Sequence, residues 1–126
     1  MNTTTNDLQS TEDKILKAAQ NIFILYGYHG TKLHQIADLA EINKSAVHYY
    51  FRSKDKLYGK VVSRVIENIL KENNNLPTNQ NPIEKQRWFL FTELYNNQNR
   101  FEQALKELYL NDWDKKLNDV KELLEK

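Results

Sequence analysis

Residues 31–58 read TKLHQIADLAEINKSAVHYYFRSKDKLY. In the first part, Leu33, Ile36, Ala37 and Ala40 fall at the three- and four-residue spacings of one helix face. Thr31 is placed to cap that helix. Glu41, Ile42 and Asn43 then break it, and Asn43 is placed to cap a second helix, Lys44 to about Phe51. Arg52 and Ser53 break the chain again. Ser53 caps a longer helix from Lys54 to about Asn73, with Leu57, Tyr58, Val61, Val62, Val65, Ile66, Ile69 and Leu70 as its apolar stripe. Two short helices around a tight break form a helix-turn-helix.

In such a unit the first helix braces across a phosphate backbone. The second lies in the major groove of DNA, where an exposed side-chain row reads base edges. With Val47 and either Tyr50 or Phe51 turned inward, Lys44, Ser45, His48 and Tyr49 form the outer row. Lys44 can donate to guanine acceptors or to phosphate, and Ser45 can donate or accept. His48 and Tyr49 can hydrogen-bond to phosphate or pack on a thymine methyl, and Ala46 leaves room for close approach.

Working outward, Ile15, Ala18, Ala19, Ile22, Phe23 and Tyr26 predict a helix from about Thr11 to Tyr26, capped by Ser10 or Thr11 and stopped by Gly27. Residues 1–9 are polar and aperiodic, the pattern of a loose tail. On the other side, 73–81 has the composition of a linker. Asn81 as cap, Pro82 at the first helical position and Glu84 after it predict a helix to about Asn96. Its apolar surface is wide: Ile83, Trp88-Phe89-Leu90-Phe91, Leu94 and Tyr95. Trp88, Phe91 and Tyr95 are the candidates for lining a ligand pocket, although aromatics at helical spacing more commonly serve as core or dimer interface. After a turn at 96–99, a further helix carries Phe101, Ala104, Leu105, Leu108 and Tyr109. A last one, opened by Asn111, Asp112 and Asp114, carries a narrow seam of Trp113, Leu117, Val120 and Leu124, which suits packing within the subunit or across a two-fold.

The expected fold is therefore all-α, with about seven helices. A helix-turn-helix domain with its connecting helix spans 10–72, and a short helical body spans 82–126. The composition agrees: 40% of residues are hydrophobic, 28% charged, and only three Gly and two Pro occur. Without cysteine, disulfides and thiolate chemistry are excluded. Residues 1–64 hold nine Lys/Arg against six Asp/Glu, while 65–126 hold nine against eleven. A basic head on an acidic body suits one face meeting phosphate. No Gly-rich phosphate loop, nucleophilic cysteine or His/carboxylate cluster points to an enzyme or a cofactor. His29 and His34 lack a third ligand for a metal. With no apolar run of membrane-spanning length and no secretory signal, the expected location is the cytoplasm, at the nucleoid.

The stretch 31–58, together with Ile15-Leu16, Ala18-Ala19, Phe23 and Gly27, resembles the DNA-binding head of TetR-family repressors over about residues 11–70. The Ile36-Ala37 pair, Lys44-Ser45, Tyr50-Phe51, and Ser53-Lys54 followed by Leu57 fall in register. The resemblance implies phosphate contacts from Thr31, Lys32 and Lys54, groove reading by Lys44, Ser45, Ala46, His48 and Tyr49, and a backbone contact from Tyr50. It implies a homodimer on a near-palindromic stretch of double-stranded DNA. Two positions depart from the family pattern. Glu41 stands where glycine is usual, at a turn that often needs positive φ, and His48 replaces a common tyrosine. A charged imidazole on phosphate would make binding weaken as pH rises. The stretch 73–126 is also shorter than the family's usual ligand and dimer domain. It suits a dimer surface better than a pocket of roughly 300 Å³. Two rivals stay open: a repressor released by a small molecule bound in the body, and a helical interaction module that has lost DNA binding.

Overall fold

The computed structural model describes the backbone of residues 3–71 and 82–125, with side chains from residue 11. The expected linker 73–81 and the Asn81 cap lie outside the described residues. Among the described residues, seven α-helices run in order: α1 (Thr3–Gly30), α2 (Leu33–Ala40), α3 (Lys44–Tyr50), α4 (Lys54–Leu70), α5 (Ile83–Asn96), α6 (Gln98–Tyr109) and α7 (Trp113–Glu125). A 3-10 turn, Leu110–Asp112, joins the last two. Among the described residues no helix is long and apolar enough to cross a membrane.

α1 begins upstream of the expected Thr11 and takes in most of the stretch read as a tail. No Gly or Pro interrupts the chain before Gly27, so the helix secured by Ile15, Ala18, Ala19, Ile22 and Phe23 can continue backward. Gly27 then ends the regular helix with φ 74 and ψ 179. That conformation favours glycine, and a Cβ there would also lie 3.2 Å from Glu93 Oε2. The kink corrects one expectation. Tyr26 stays 55% exposed, and Tyr28, just past the turn, enters the aromatic cluster instead, 5.1 Å from the Tyr58 ring.

Thr31 is a second correction. Lys32, not Thr31, occupies the N-cap position of α2, and its backbone N–H donates to Gln35 Oε1 at 2.9 Å. Thr31 is buried and its Oγ1 donates to Gly27 O at 2.7 Å, pinning the α1–α2 turn. At the other end of α2, Glu41 adopts φ 61, ψ 44. The N–H of Glu41 donates to Asp38 O, and that of Ile42 to Ala37 O. These two bonds close the helix in a Schellman turn, which outweighs a left-handed penalty of about 1 kcal/mol for a non-glycine residue. Leu110 also has positive φ, 48, at an exposed corner between α6 and α7.

α4 is the central strut. Ser53 caps it, its Oγ accepting from the Lys56 N–H at 3.1 Å. Leu57, Tyr58, Val61, Val62, Val65, Ile66 and Ile69 are all buried. α4 packs against α1 on the head side and against α5 and α6 on the body side. One core therefore runs without a gap from Ile15 to Val120. α5 buries Gln86, Phe89, Leu90, Glu93 and Leu94. The α7 seam packs on α6 within the same chain, with Leu117 and Val120 buried and Trp113 and Leu124 half-buried against the core.

Candidate nucleic-acid interface

α3 has only seven residues, so it is held from below at few points. Val47 is fully buried and Phe51, at its C-cap, is 5% exposed. Of the two residues considered for the inner position, Phe51 takes it and Tyr50 does not. Asn43 holds the N-cap position with extended backbone, but its side chain makes no capping bond. Its carbonyl accepts from the Ala46 N–H at 3.0 Å.

The opposite side of α3 is open to solvent. Lys44, Ser45, His48 and Tyr49 are exposed, Tyr49 at 77%. Ala46 is half-buried. Tyr50 lies at the edge of this face, and its ring meets that of Tyr49 edge-on at 5.1 Å. That contact limits the freedom of a long aromatic side chain before it touches anything, which lowers the ordering cost on binding. The structure thus brings Lys44, Ser45, His48 and Tyr49 onto one exposed ridge, as the sequence row requires, with Tyr50 beside it.

The three residues implied as phosphate contacts separate. Lys32 is exposed at the start of α2. Thr31 is 1% exposed, and its hydroxyl is committed to the Gly27 carbonyl, so its side chain holds the turn and does not face a phosphate. Lys54 stands at the first position of α4, where free N–H groups and a cation favour an anion. It is half-buried, with Nζ 4.3 Å from the centroid of the Tyr28 ring. Burial, and next the charge of Arg100, push the Lys54 ammonium below the usual lysine value.

Around Lys54 is a cluster that no spacing in the sequence announced. The Tyr28 hydroxyl donates to Asp55 Oδ1. Arg100, from the first turn of α6, donates from Nη1 to the same oxygen at 2.9 Å and places its guanidinium 3.9 Å from the Tyr28 ring centroid. Burial, followed by the Asp55 hydrogen bond and charge, raises the Tyr28 phenol to about 12. Beneath it, the buried Glu93 carboxylate accepts from Tyr58 Oη at 3.0 Å and from Asn97 Nδ2 at 3.1 Å, and Asn97 Oδ1 lies 3.0 Å from His29 Nε2. Burial and the adjacent Glu93 charge push the Tyr58 phenol well above its ordinary range. Residues 28, 55, 58, 93 and 100 lie on four helices, so no local spacing in the sequence joins them.

The aromatic row of α5 faces solvent. Trp88, Phe91 and Tyr95 are neither core nor the lining of a closed pocket; they are 67%, 42% and 58% exposed. Trp88 and Phe91 stack at 5.5 Å, and Phe91 meets Tyr95 at 4.8 Å. Trp88 and Phe91 border an open cleft of about 310 Å³ with Glu84, Arg87 and Leu124. α5 uses its other two faces against α1, α4 and α6, which leaves this one outward.

Comparison with known proteins places this architecture. A family profile described as bacterial regulatory proteins, tetR family, matches residues 15–61. The chain is 45% identical over 53 residues to the HTH-type transcriptional regulator RutR of Escherichia coli K12, a match covering 42% of this chain and 25% of RutR. It is 31% identical over 87 residues to the HTH-type transcriptional regulator QacR of Staphylococcus aureus, covering 66% of this chain and 44% of QacR. The match thus spans less than half the length of either relative. Among solved structures, a linker-substituted mutant of HlyIIR superposes with a TM-score of 0.54 at 26% identity, covering 93% of this chain and 72% of the other.

Proposed function

This chain belongs to the TetR family of bacterial regulatory proteins, and from that membership we propose that it is a sequence-specific regulator that binds double-stranded DNA and represses transcription by occupying a promoter. It acts as a homodimer, placing two copies of α3 in successive major grooves roughly 34–36 Å apart on a near-palindromic operator. The observation that carries this reading is the exposed ridge of Lys44, Ser45, His48 and Tyr49 on a helix anchored by Val47 and Phe51. An exposed row of donors and an aromatic on so short a helix contributes little to stability. It is suited to reading base edges. Lys32 and Lys54 supply the phosphate contacts on either side.

The test is selection of bound DNA from a random pool, followed by affinity against salt concentration for wild type and for Lys44→Ala with Tyr49→Ala. The pair of substitutions is expected to cut operator affinity by about a hundredfold or more. A wild type without salt-dependent DNA affinity would instead favour a helical interaction module.

A second reading, release from DNA by a small molecule, draws support from the solvent-facing Trp88–Phe91–Tyr95 row and its cleft. A thermal-shift screen with hydrophobic and aromatic compounds tests it. A stabilising hit abolished by Trp88→Ala supports the switch, and a screen without hits counts against it.

A further inference from the structure

We propose that Arg100, which belongs to α6 and not to the DNA-binding head, is a positioning residue for DNA binding: by holding the Asp55 carboxylate it leaves Lys54 free to face phosphate. The inference rests on the DNA-binding reading above and assigns a role in it to a residue outside the head.

Lys54 and Asp55 are consecutive in the first turn of α4. The lysine suits a phosphate, while the aspartate beside it repels one. Left to itself, the carboxylate would also be a ready partner for the neighbouring ammonium. Arg100 resolves this conflict. Its Nη1 takes Asp55 Oδ1 at 2.9 Å, and the Tyr28 hydroxyl donates to the same oxygen. Lys54 Nζ rests instead over the Tyr28 ring, at 4.3 Å. An ammonium on an aromatic face is held in place but keeps its donors for a further acceptor.

Magnitude separates this role from a structural one. Arg100 and Asp55 side chains are 36% and 61% exposed. A pair so open to solvent contributes about 0–1 kcal/mol to folding. Next to the dense charge of a DNA backbone the same carboxylate matters more, because each uncompensated charge acts on several phosphates at once. The lowered value of the Lys54 ammonium, through burial and then the Arg100 charge, fits an ammonium kept close to this second cation.

Affinity against salt for selected DNA, with wild type, Arg100→Ala, Arg100→Lys, Asp55→Asn and the Arg100→Ala/Asp55→Asn pair, tests the proposal. Arg100→Ala is expected to weaken binding about tenfold across operator variants and to make the salt slope shallower by about one unit, as for one lost phosphate contact. Arg100→Lys should retain most of the affinity. The double variant should return to within about twofold of wild type, because the carboxylate that competes for Lys54 is gone. An Arg100→Ala protein that binds as wild type overturns the proposal. So does a double variant as weak as Arg100→Ala, which would mean that Arg100 touches phosphate itself or only supports the fold. A purely structural role would lower the melting temperature and leave the salt slope unmoved. If wild type binds no DNA, the functional reading falls and this inference falls with it; if wild type binds but the rescue fails, only this inference falls.

Discussion

The outer row of α3 and the junction where α1, α4, α5 and α6 meet solve opposite problems. On α3, Lys44, Ser45, His48 and Tyr49 stand in solvent, each independent of the others apart from the Tyr49–Tyr50 ring contact. At the junction, Tyr28, Asp55, Tyr58, Glu93 and Arg100 come from distant parts of the chain, and each depends on a partner. The ridge can change its residues at little cost to the fold and, under the proposed function, would change its DNA target with them. The junction cannot change one member without leaving another exposed to an unpaired charge or a buried, unsatisfied hydroxyl. Under the proposed function, specificity falls to the ridge and stability to the buried Tyr58–Glu93 pair of the junction, with Lys54 the point where the two regions touch.

This division can be broken by experiment. The largest effect is expected from Lys44→Ala with Tyr49→Ala. Two lost base or phosphate contacts of roughly 1–3 kcal/mol each should reduce operator affinity by about a hundredfold or more, with the urea midpoint of unfolding unchanged. A large drop in that midpoint would show that the ridge also carries the fold. Next comes Tyr58→Phe, which removes a buried donor from Glu93. It should cost about 1–3 kcal/mol of stability by urea titration while the base preference of the protein stays the same. Glu41→Gly should act in the other direction. Relief of the left-handed backbone at the α2–α3 turn should add about 0.5–1 kcal/mol, read as a higher melting temperature.

The smallest effect is a pH response of the junction. Folding raises the Tyr28 phenol from 10.0 to about 12, chiefly by burial and then by Asp55. Its neutral form is therefore favoured in the native state. The stability this provides is complete below about pH 10 and is lost as pH rises through about 12. Wild type should accordingly lose stability more steeply than Tyr28→Phe across that interval, measured by urea titration at each pH. Parallel curves would remove Tyr28 from the junction's energetics.

Much of the fold was legible because helices announce themselves locally. The steps among Ile15, Ala18, Ala19, Ile22 and Phe23, and along α4 from Leu57 to Ile69, are properties of neighbouring residues, and burial followed them. The ridge on α3 was legible for the same reason. A seven-residue helix has room for few inward positions, and with Val47 facing inward the exposed row follows from the helical spacing. Periodicity failed where a face had more than one possible cover. Tyr26 continued the α1 stripe in sequence, but the turn at Gly27 put Tyr28, half-buried, against the core instead. Trp88 and Phe91 flank Phe89 and Leu90, and only the position of α1, α4 and α6 around α5 decided which pair was buried. Thr31 had the chemistry of a cap, yet its hydroxyl donates to the Gly27 carbonyl and the cap position falls to Lys32.

By itself the sequence determined the helices, the break at Glu41–Asn43, and the chemistry of the outer face of α3, because each depends on contacts within a few residues. The positive φ at Glu41 was implied by the resemblance, which has glycine at that turn, and the structure has it at φ 61. The tertiary structure alone decided that Asp55 meets Arg100, that Glu93 is buried under Tyr58, and that the α5 aromatics face outward. Those outcomes depend on which helices lie side by side. That is fixed by the whole core, whose packing sums many small apolar contacts, and not by the spacing of any one stretch.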